Sequence, residues 1–249
     1  MKILKFLPAL IMLSFLACTS SQKVIRSYQV SFYAVDTAAG TDTVMQAMLA
    51  PYREQEQQAM EQVVCYARTP LSKTQPESTM GNLVIEAQLL AARKLDSTIK
   101  ISVSNYGAMR IPYISPGAVT RGMVYQMMPF DNQLVILEIP GEKLQQLCDH
   151  IAAWGGWPIS GVSFQIKDKK AVHVLAGGKA LQPQHIYKTV TSSYVANGGD
   201  YCDFLQDCSR KTYNILVRDT ILEYLESLQM EGKELNISLQ NNITYADEP

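Results

Sequence analysis

The sequence predicts a layered α+β fold whose sheets contain both parallel and antiparallel strands. Apolar residues recur at helical spacing in several segments, and segments with alternating apolar residues lie between them. The two kinds of segment do not follow the strict strand–helix–strand rhythm of an all-parallel fold. With 47% hydrophobic residues and a net charge of −1, the 249-residue chain can bury a normal core. Its charge does not favour binding to a nucleic acid polymer.

The N-terminal residues 1–18 have the pattern of a lipoprotein signal peptide. Lys2 and Lys5 precede an apolar stretch that is too short to span a bilayer, and a small residue precedes Cys18. We therefore expect an exported bacterial lipoprotein that is lipidated at Cys18 and attached to a membrane only through this anchor. Thr and Ser rather than Asp follow the cysteine, which favours the outer membrane, facing the periplasm. Cleavage by the signal peptidase of soluble proteins stays open.

The segments after the signal divide into a tether, a long helix and a folded domain. Residues 19–39 form the tether and a leading segment that is a strand or extended. Residues 40–70 contain a helix capped by Thr41 or Asp42 and interrupted by Pro51. Its predicted apolar face consists of Val44, Met48, Tyr52, Ala59 and Val63. Residues 71–249 form the folded domain.

Helices and strands then alternate along this domain. A helix capped by Ser78 or Thr79 has apolar residues at helical spacing up to Ala91, and a strand at 99–103 stops at Asn105. The remaining predicted elements are a short helix capped by Thr120 and ending at Pro129, a buried strand at 134–139, a helix through Leu144, Leu147 and Ile151, strands through Val162–Ile166, Val172–Val174 and Ile186–Thr191, a turn at Gly177-Gly178, a last helix through Val217, Ile221 and Leu225, and a strand near Ile237.

The sequence contains no recognisable catalytic or metal-binding motif. His150, His173 and His185 are the only histidines, and none has a carboxylate at ligand spacing, so we expect no metal and no other cofactor in this chain. Matches to the acyl-transfer S-x-x-K motif lack their companion motifs and are interpreted as chance. The chain is therefore expected to be inactive on its own.

Four cysteines follow Cys18. Cys65, Cys148, Cys202 and Cys208 allow three complete disulfide pairings, and the sequence does not choose among them. Cys202 and Cys208 are close in the chain and are the favoured pair. Cys148 lies on the apolar face of a helix, which favours a buried free thiol.

An ordered set of short motifs resembles the C-terminal domain of 5'-nucleotidases. Met80–Leu83 and Ser104–Arg110 are similar to the family's mGNL and NsGGiR segments, Pro129–Asn132 to PFgN, and Tyr194–Asp200 to nxFlaxGGDg, with Tyr194 in place of the usual Phe. Weaker likenesses at Ile139–Leu144 and Ile159–Gly161 lie between them. The resemblance covers roughly residues 40 to 230 and implies an α/β/β/α sandwich with mixed sheets.

The resemblance also implies a nucleoside pocket. Two aromatic rings would clamp a base, amides would read its edge, a carboxylate would accept from ribose hydroxyls, and a guanidinium would contact ribose or phosphate oxygens. The residues at the matching positions are Phe130, Tyr194, Asn105, Asn132, Asp200 and Arg110. The family's arginine six residues before the mGNL methionine is Thr74 here, with Lys73 beside it.

In family members this domain follows a metallophosphatase domain and an interdomain helix. The resemblance therefore implies a nucleotide- or nucleoside-recognition subunit of a split 5'-nucleotidase. A separate metallophosphatase chain would carry the two divalent metals, and the helix in residues 40–70 would correspond to the interdomain helix. A free-standing scavenging lipoprotein that binds nucleosides or nucleotides, without an enzymatic partner, is the alternative.

Overall fold

The structure is a computed structural model, and it describes residues 27–33 and 40–246. The predicted signal peptide and Cys18 lie outside the described residues. The chain divides after Met48 into two units, residues 1–48 and 49–249. In the described part, no helix is both long enough and apolar enough to cross a membrane.

The first helix, α1 (Thr43–Glu61), begins at an aspartate cap. Oδ1 of Asp42 accepts hydrogen bonds from the backbone N–H groups of Val44 and Met45 at 2.9 and 3.0 Å, which satisfies two amides that the helix itself leaves free. All of α1 is described, and none of its residues is buried. Val63, predicted on the apolar face of this helix, instead begins a strand, so the helix is shorter than expected.

The structure of residues 27–33 and the surroundings of Pro51 can be compared with their predictions. Residues 27–33, expected to be a strand or an extended segment, form neither helix nor strand. Pro51 lies inside α1, with helical residues on both sides of it.

The elements after α1 alternate between helices and strands, and the α+β class with mixed sheets is confirmed. The helices are α2 (Thr79–Leu95), α3 (Arg121–Met127), α4 (Gly141–Ala153), α5 (Ser193–Ala196) and α6 (Val217–Met230). The strands are β1 (Val63–Ala67), β2 (Leu71–Ser72), β3 (Ile101–Val103), β4 (Tyr113–Ile114), β5 (Gly117–Thr120), β6 (Gln133–Pro140), β7 (Ile159–Ser160), β8 (Val162–Lys167), β9 (Lys170–Ala176), β10 (Lys179–Ala180), β11 (Ile186–Ser192), β12 (Ser209–Leu216) and β13 (Ile243–Tyr245). The helix caps predicted at Ser78 and Thr120 are confirmed: their hydroxyl oxygens accept from the N–H groups of Gly81 and Met123.

A five-stranded sheet in the order β12-β6-β11-β3-β7 is the centre of the domain. β11 pairs in parallel with β3 and antiparallel with β6, so this sheet is mixed. The apolar run from Leu134 to Leu137 in β6 is buried at every position. Such a run is typical of a strand that is covered on both faces.

Two hydrophobic cores cover the two faces of this sheet. On one face, α2 and α6 pack with residues such as Leu83 and Ile221, which are at most 1% exposed. On the other face, Leu147 of α4 packs with Phe164 of the second sheet. Each fully buried leucine contributes roughly 1.5–3 kcal/mol. The central strands are therefore held from both sides.

The second sheet, in the order β10-β9-β8-β13, contains one confirmed turn and one irregular strand. Gly177 and Gly178, with φ of 59° and 76°, connect β9 to β10 as a two-residue hairpin turn that requires positive φ at both positions. His173 has a φ of 56° within β9, where the pairing register with β8 shifts. Because of this bulge, Val174 is buried and Val172 is not, against the prediction of one alternating face.

The C-terminal segment differs from the prediction of a strand near Ile237. Ile237 is buried outside any strand, and the last strand is β13, which pairs in parallel with β8. Buried Glu77 holds this segment: its Oε1 accepts from the N–H of Gln240 at 2.6 Å, and its Oε2 accepts from that of Asn242 at 3.0 Å. The Glu77 carboxylate therefore fixes the position of the C-terminal segment that leads into β13.

The four cysteines in the described part of the chain are all buried free thiols. This confirms the prediction for Cys148, whose pKa is raised to about 12 by burial. The favoured pairing of Cys202 with Cys208 is wrong, because neither sulfur is in a disulfide. Burial, with a contribution from the nearby Asp200, raises the pKa of Cys202 to about 12.

Candidate ligand-binding site

Three adjacent strands of the five-stranded sheet bring the candidate residues to one edge. β3 and β11 are parallel, so their carboxyl ends lie at the same edge, and β6 starts there because it is antiparallel to β11. Asn105 follows β3, Tyr194 follows β11, and Asn132 immediately precedes β6. Loops that are distant in sequence therefore meet at this edge.

A cavity of about 270 Å³ opens among these loops. Its size is near the lower end of the range for small-molecule sites, about 300–1,000 Å³. The residues that line it are Asn105, Gly107, Ala108, Arg110, Phe130, Asn132, Tyr194 and Asp200. The structure thus places all six residues predicted to bind a ligand around one cavity.

Asp200 is the acidic residue that lines the cavity, and hydrogen bonds hold both its side chain and its backbone. The Tyr194 hydroxyl donates to Oδ1 of Asp200 at 2.7 Å, and Nδ2 of Asn105 donates to Oδ2 at 2.7 Å. The N–H of Asp200 donates to the Tyr194 hydroxyl oxygen at 3.2 Å, and His150 Nε2 donates to the Asp200 carbonyl at 2.9 Å. Its φ of 50° and ψ of 40° are uncommon for a residue other than glycine, and these four hydrogen bonds stabilise that conformation.

The glycines before Asp200 allow the Tyr194 ring to lie close to the backbone. A Cβ at Gly199 would lie 2.5 Å from carbon atoms of this ring, so only glycine permits the contact. Gly198 has a φ of 92°, which also favours glycine. The Gly199 backbone covers part of the ring, while 42% of Tyr194 remains exposed. The hydrogen bond to Asp200 raises the pKa of Tyr194, because this bond is made by the protonated phenol.

Phe130 and Arg110 line another part of the cavity. The Arg110 guanidinium carbon lies 5.5 Å from the centre of the Phe130 ring, within the range of a cation–π contact. Phe130 is nevertheless 39% exposed. The cavity therefore offers an accessible aromatic surface next to a permanent positive charge.

The backbone around Asn132 connects the Phe130 loop to α5, the short helix that contains Tyr194. The Asn132 carbonyl accepts from the N–H of Val217 at 2.8 Å. The N–H of the next residue, Gln133, donates to the hydroxyl oxygen of Ser193 at 3.0 Å. Since Ser193 directly precedes Tyr194, these bonds hold the two aromatic segments in a defined relation.

Arg218, at the start of α6, supports the Phe130 loop from outside the cavity. It is 7% exposed, and its Nη2 donates to Oδ1 of Asp131 at 2.7 Å. Its Nη1 lies 3.4 Å from the carbonyl oxygen of Met128, and its guanidinium lies over the Tyr125 ring at 4.2 Å. The residues on both sides of Phe130 are therefore held by one buried cation.

The segment that lacks the arginine expected from the resemblance has a different contact pattern. The Thr74 hydroxyl donates to the carbonyl of Glu77 at 2.7 Å and closes the turn before α2. Lys73 donates to the carbonyl of Met109 at 2.8 Å and lies over the ring of Tyr106. Burial, with a smaller contribution from Arg110, lowers the pKa of Lys73. Neither Lys73 nor Thr74 lines the cavity.

Sequence reasoning missed His150 and Arg218, which support the site without lining it. His150 is on a helix whose apolar face gives no sign of its hydrogen bond to Asp200. A weak signal existed for Arg218, because an arginine next to the apolar Val217 in the first turn of a helix needs a partner if it is buried. In the described ranges, no group of three or more His, Cys, Asp or Glu side chains is placed to hold a metal ion.

Comparisons with known proteins agree on one family. The family model described as "5'-nucleotidase, C-terminal domain" matches residues 59–207. The structure is similar to that of a 5'-nucleotidase precursor from Thermus thermophilus, with a TM-score of 0.70, 25% sequence identity and coverage of 83% of this chain and 44% of that chain.

Two curated relatives are also similar in sequence. The trifunctional nucleotide phosphoesterase protein YfkN of Bacillus subtilis is 29% identical over 50% of this chain and 9% of its own length. A 5'-nucleotidase of Vibrio cholerae is 23% identical over 64% of this chain and 30% of its own length. The chain therefore spans less than half the length of each of these proteins.

Proposed function

The chain belongs to the 5'-nucleotidase C-terminal domain family, and from this premise we propose that it recognises a nucleotide or nucleoside in the cavity at the sheet edge. The convergence of two aromatic rings, a carboxylate and a guanidinium around about 270 Å³ carries the proposal. Aromatic faces stack on any base, and a carboxylate accepts hydrogen bonds from sugar hydroxyls.

The six predicted site residues have the following roles in this proposal. Phe130 and Tyr194 stack on the base, and the Asn132 amide hydrogen-bonds to its edge. Asp200 accepts from ribose hydroxyls, and Arg110 contacts ribose or phosphate oxygens. Asn105 lines the cavity, and its Nδ2 donates to Asp200, so we assign it the role of holding that carboxylate toward the ligand.

The aromatic clamp is tested by replacing one of its rings. We expect Phe130→Ala to weaken nucleoside binding about 5- to 150-fold, because a stacking contact contributes roughly 1–3 kcal/mol. Isothermal titration calorimetry with the native chain and the variant measures this. Tyr245→Ala is a matched control, because it removes an exposed ring of β13 that does not line the cavity. Equal affinities of native chain and Phe130→Ala, or no native binding at millimolar ligand, would contradict the clamp.

We further propose that the chain supplies recognition to a separate metallophosphatase chain that carries the metals. Hydrolysis is assigned to that chain because the described residues offer no ligand cluster for a metal. Binding the nucleoside here would position its phosphate at the partner's metals, so binding energy would increase the rate as well as the affinity. The exposed apolar residues of α1 support the existence of a partner surface.

The alternative is a free-standing scavenging lipoprotein that binds nucleosides or nucleotides without an enzymatic partner; the lipoprotein pattern ending at Cys18 fits either proposal. A mixing experiment decides between them. The purified chain is added to the exported metallophosphatase encoded next to its gene, and hydrolysis of 5'-nucleotides is compared with that of p-nitrophenyl phosphate. Selective stimulation of nucleotide hydrolysis, lost with Phe130→Ala, supports the split enzyme. No stimulation and no co-purification, or no such neighbouring gene, favours the scavenging protein.

A further inference from the structure

We propose that the hydroxyl of Tyr194 makes the site selective for ligands with a vicinal cis-diol, because it holds the Asp200 carboxylate in the orientation that accepts from both hydroxyls. This inference rests on the proposed function. It concerns the phenol oxygen, whereas the stacking role concerns the ring. A phenylalanine would supply the ring without this oxygen.

The Asp200 carboxylate has two acceptor positions free for a ligand. An ionised carboxylate offers about four lone-pair positions, two on each oxygen. Tyr194 uses one on Oδ1, and Asn105 uses one on Oδ2. One position therefore remains on each oxygen. Two adjacent acceptors match the two donors of a vicinal diol, whereas a ligand without these hydroxyls leaves both acceptors unused.

Tyr194 fixes the orientation of this carboxylate. Its hydroxyl contacts both the side chain and the backbone of Asp200, since it donates to Oδ1 and accepts from the Asp200 N–H. The ring itself is placed by the close contact with Gly199. Without the hydroxyl, Asn105 alone would hold the carboxylate at one oxygen, and the group could rotate. Tyr194 is thus a positioning residue that acts through Asp200.

Tyr194 also supports the backbone conformation of Asp200. Its left-handed φ of 50° is stabilised from two sides, by Tyr194 at the N–H and by His150 at the carbonyl. Loss of the phenol oxygen leaves this N–H without its acceptor. The loop then loses one of the two backbone bonds that aim the side chain into the cavity.

The test compares Tyr194→Phe with the native chain. Calorimetry measures Kd for adenosine and uridine and for their 2',3'-dideoxy counterparts. We expect the native chain to prefer the ribonucleosides and the variant to bind them roughly tenfold more weakly, as for the loss of a hydrogen bond to a charged group. Affinity for the dideoxynucleosides should change by less than about twofold, because the stacking ring is retained.

Tyr201→Phe is the matched control. It removes a phenol hydroxyl from the next residue of the same loop, where the tyrosine is 75% exposed and does not line the cavity. We expect this variant to keep both affinities and the preference for ribonucleosides. Thermal unfolding of both variants identifies any general loss of the fold.

The outcomes separate this inference from the proposed function. If the native chain binds neither ribonucleosides nor their 5'-monophosphates at millimolar concentration, both are wrong. If it binds them but Tyr194→Phe keeps the same preference for the diol, the inference is wrong and the proposed function stands. An equal loss of ribonucleoside and dideoxynucleoside binding also overturns the inference, because it indicates general support of the loop.

Discussion

Arg218 contacts the segment that carries Phe130 from outside the cavity. Its guanidinium connects α6 to Met128 and Asp131, and Phe130 lies between these two residues. The cation is buried, whereas the side chain of Asp131 is 77% exposed. An exposed carboxylate contributes little to an ion pair because water screens it. We therefore expect the buried guanidinium of Arg218 to contribute more to the stability of this loop than the exposed carboxylate of Asp131.

This asymmetry predicts unequal effects of removing the two partners. We expect Arg218→Ala to lower the free energy of unfolding by roughly 2–4 kcal/mol, because packing is lost and a buried carbonyl loses its donor. Asp131→Ala should cost about 1 kcal/mol or less. Urea denaturation of both variants measures the difference. Equal losses would show that the ion pair, and not the buried guanidinium, holds the loop.

At the scale of elements, α1 differs from the other long helices of the described chain. The helices α2, α4 and α6 each bury a row of apolar residues, whereas α1 buries none. Val44, Met48 and Tyr52 are four residues apart and therefore share one stripe, and they are 73%, 64% and 67% exposed. An exposed apolar stripe of this kind is typical of a surface that binds a partner.

The predicted partner surface is tested with Tyr52→Glu. Because Tyr52 is exposed, we expect the thermal unfolding temperature of the isolated chain to stay unchanged. Stimulation of the metallophosphatase should be lost, since the charge would have to be buried in the interface. Gln46→Glu introduces the same charge at an exposed position about 120° around the helix from Tyr52 and about 160° from Val44 and Met48, and it should retain stimulation. Full stimulation by Tyr52→Glu would exclude this stripe as the contact.

For the molecule as a whole, we propose a ligand-binding domain held at a membrane by an N-terminal lipid anchor. The domain lies in residues 49–246, and the anchor is expected at Cys18. A single acyl chain binds a bilayer only marginally, so stable attachment requires more than one. The proposal of an outer-membrane lipoprotein therefore requires multiple acylation.

Mass spectrometry of the mature protein tests this expectation. We expect the chain to begin at Cys18 and to carry the mass of several acyl chains. Replacement of Cys18 by Ser should release the protein from the membrane fraction and leave nucleoside affinity unchanged. A mature chain that begins with an unmodified residue other than Cys18 would contradict the lipoprotein prediction.

Local patterns in the sequence predicted the types of most elements, the positions of helix caps to within a residue, and the family, but they wrongly predicted a strand near Ile237. Helical and alternating spacings are consequences of backbone hydrogen bonding over a few residues, so they can be read without tertiary contacts. The caps at Ser78 and Thr120 follow from the same short-range geometry. The ordered motifs that contain Asn105, Phe130 and Asp200 likewise indicated which residues share a cavity.

The contacts between residues that are distant in sequence were established only by the tertiary structure. The bonds from Tyr194 and Asn105 to Asp200, the burial of Arg218, the free state of Cys202 and the bulge at His173 all depend on packing between distant segments. A hydrogen bond between residues 95 positions apart, such as that from Asn105 to Asp200, leaves no periodic signal in the chain. Long-range packing selects one such arrangement among many that satisfy the same local pattern, and for this reason the sequence indicated the site residues but not the network that orients them.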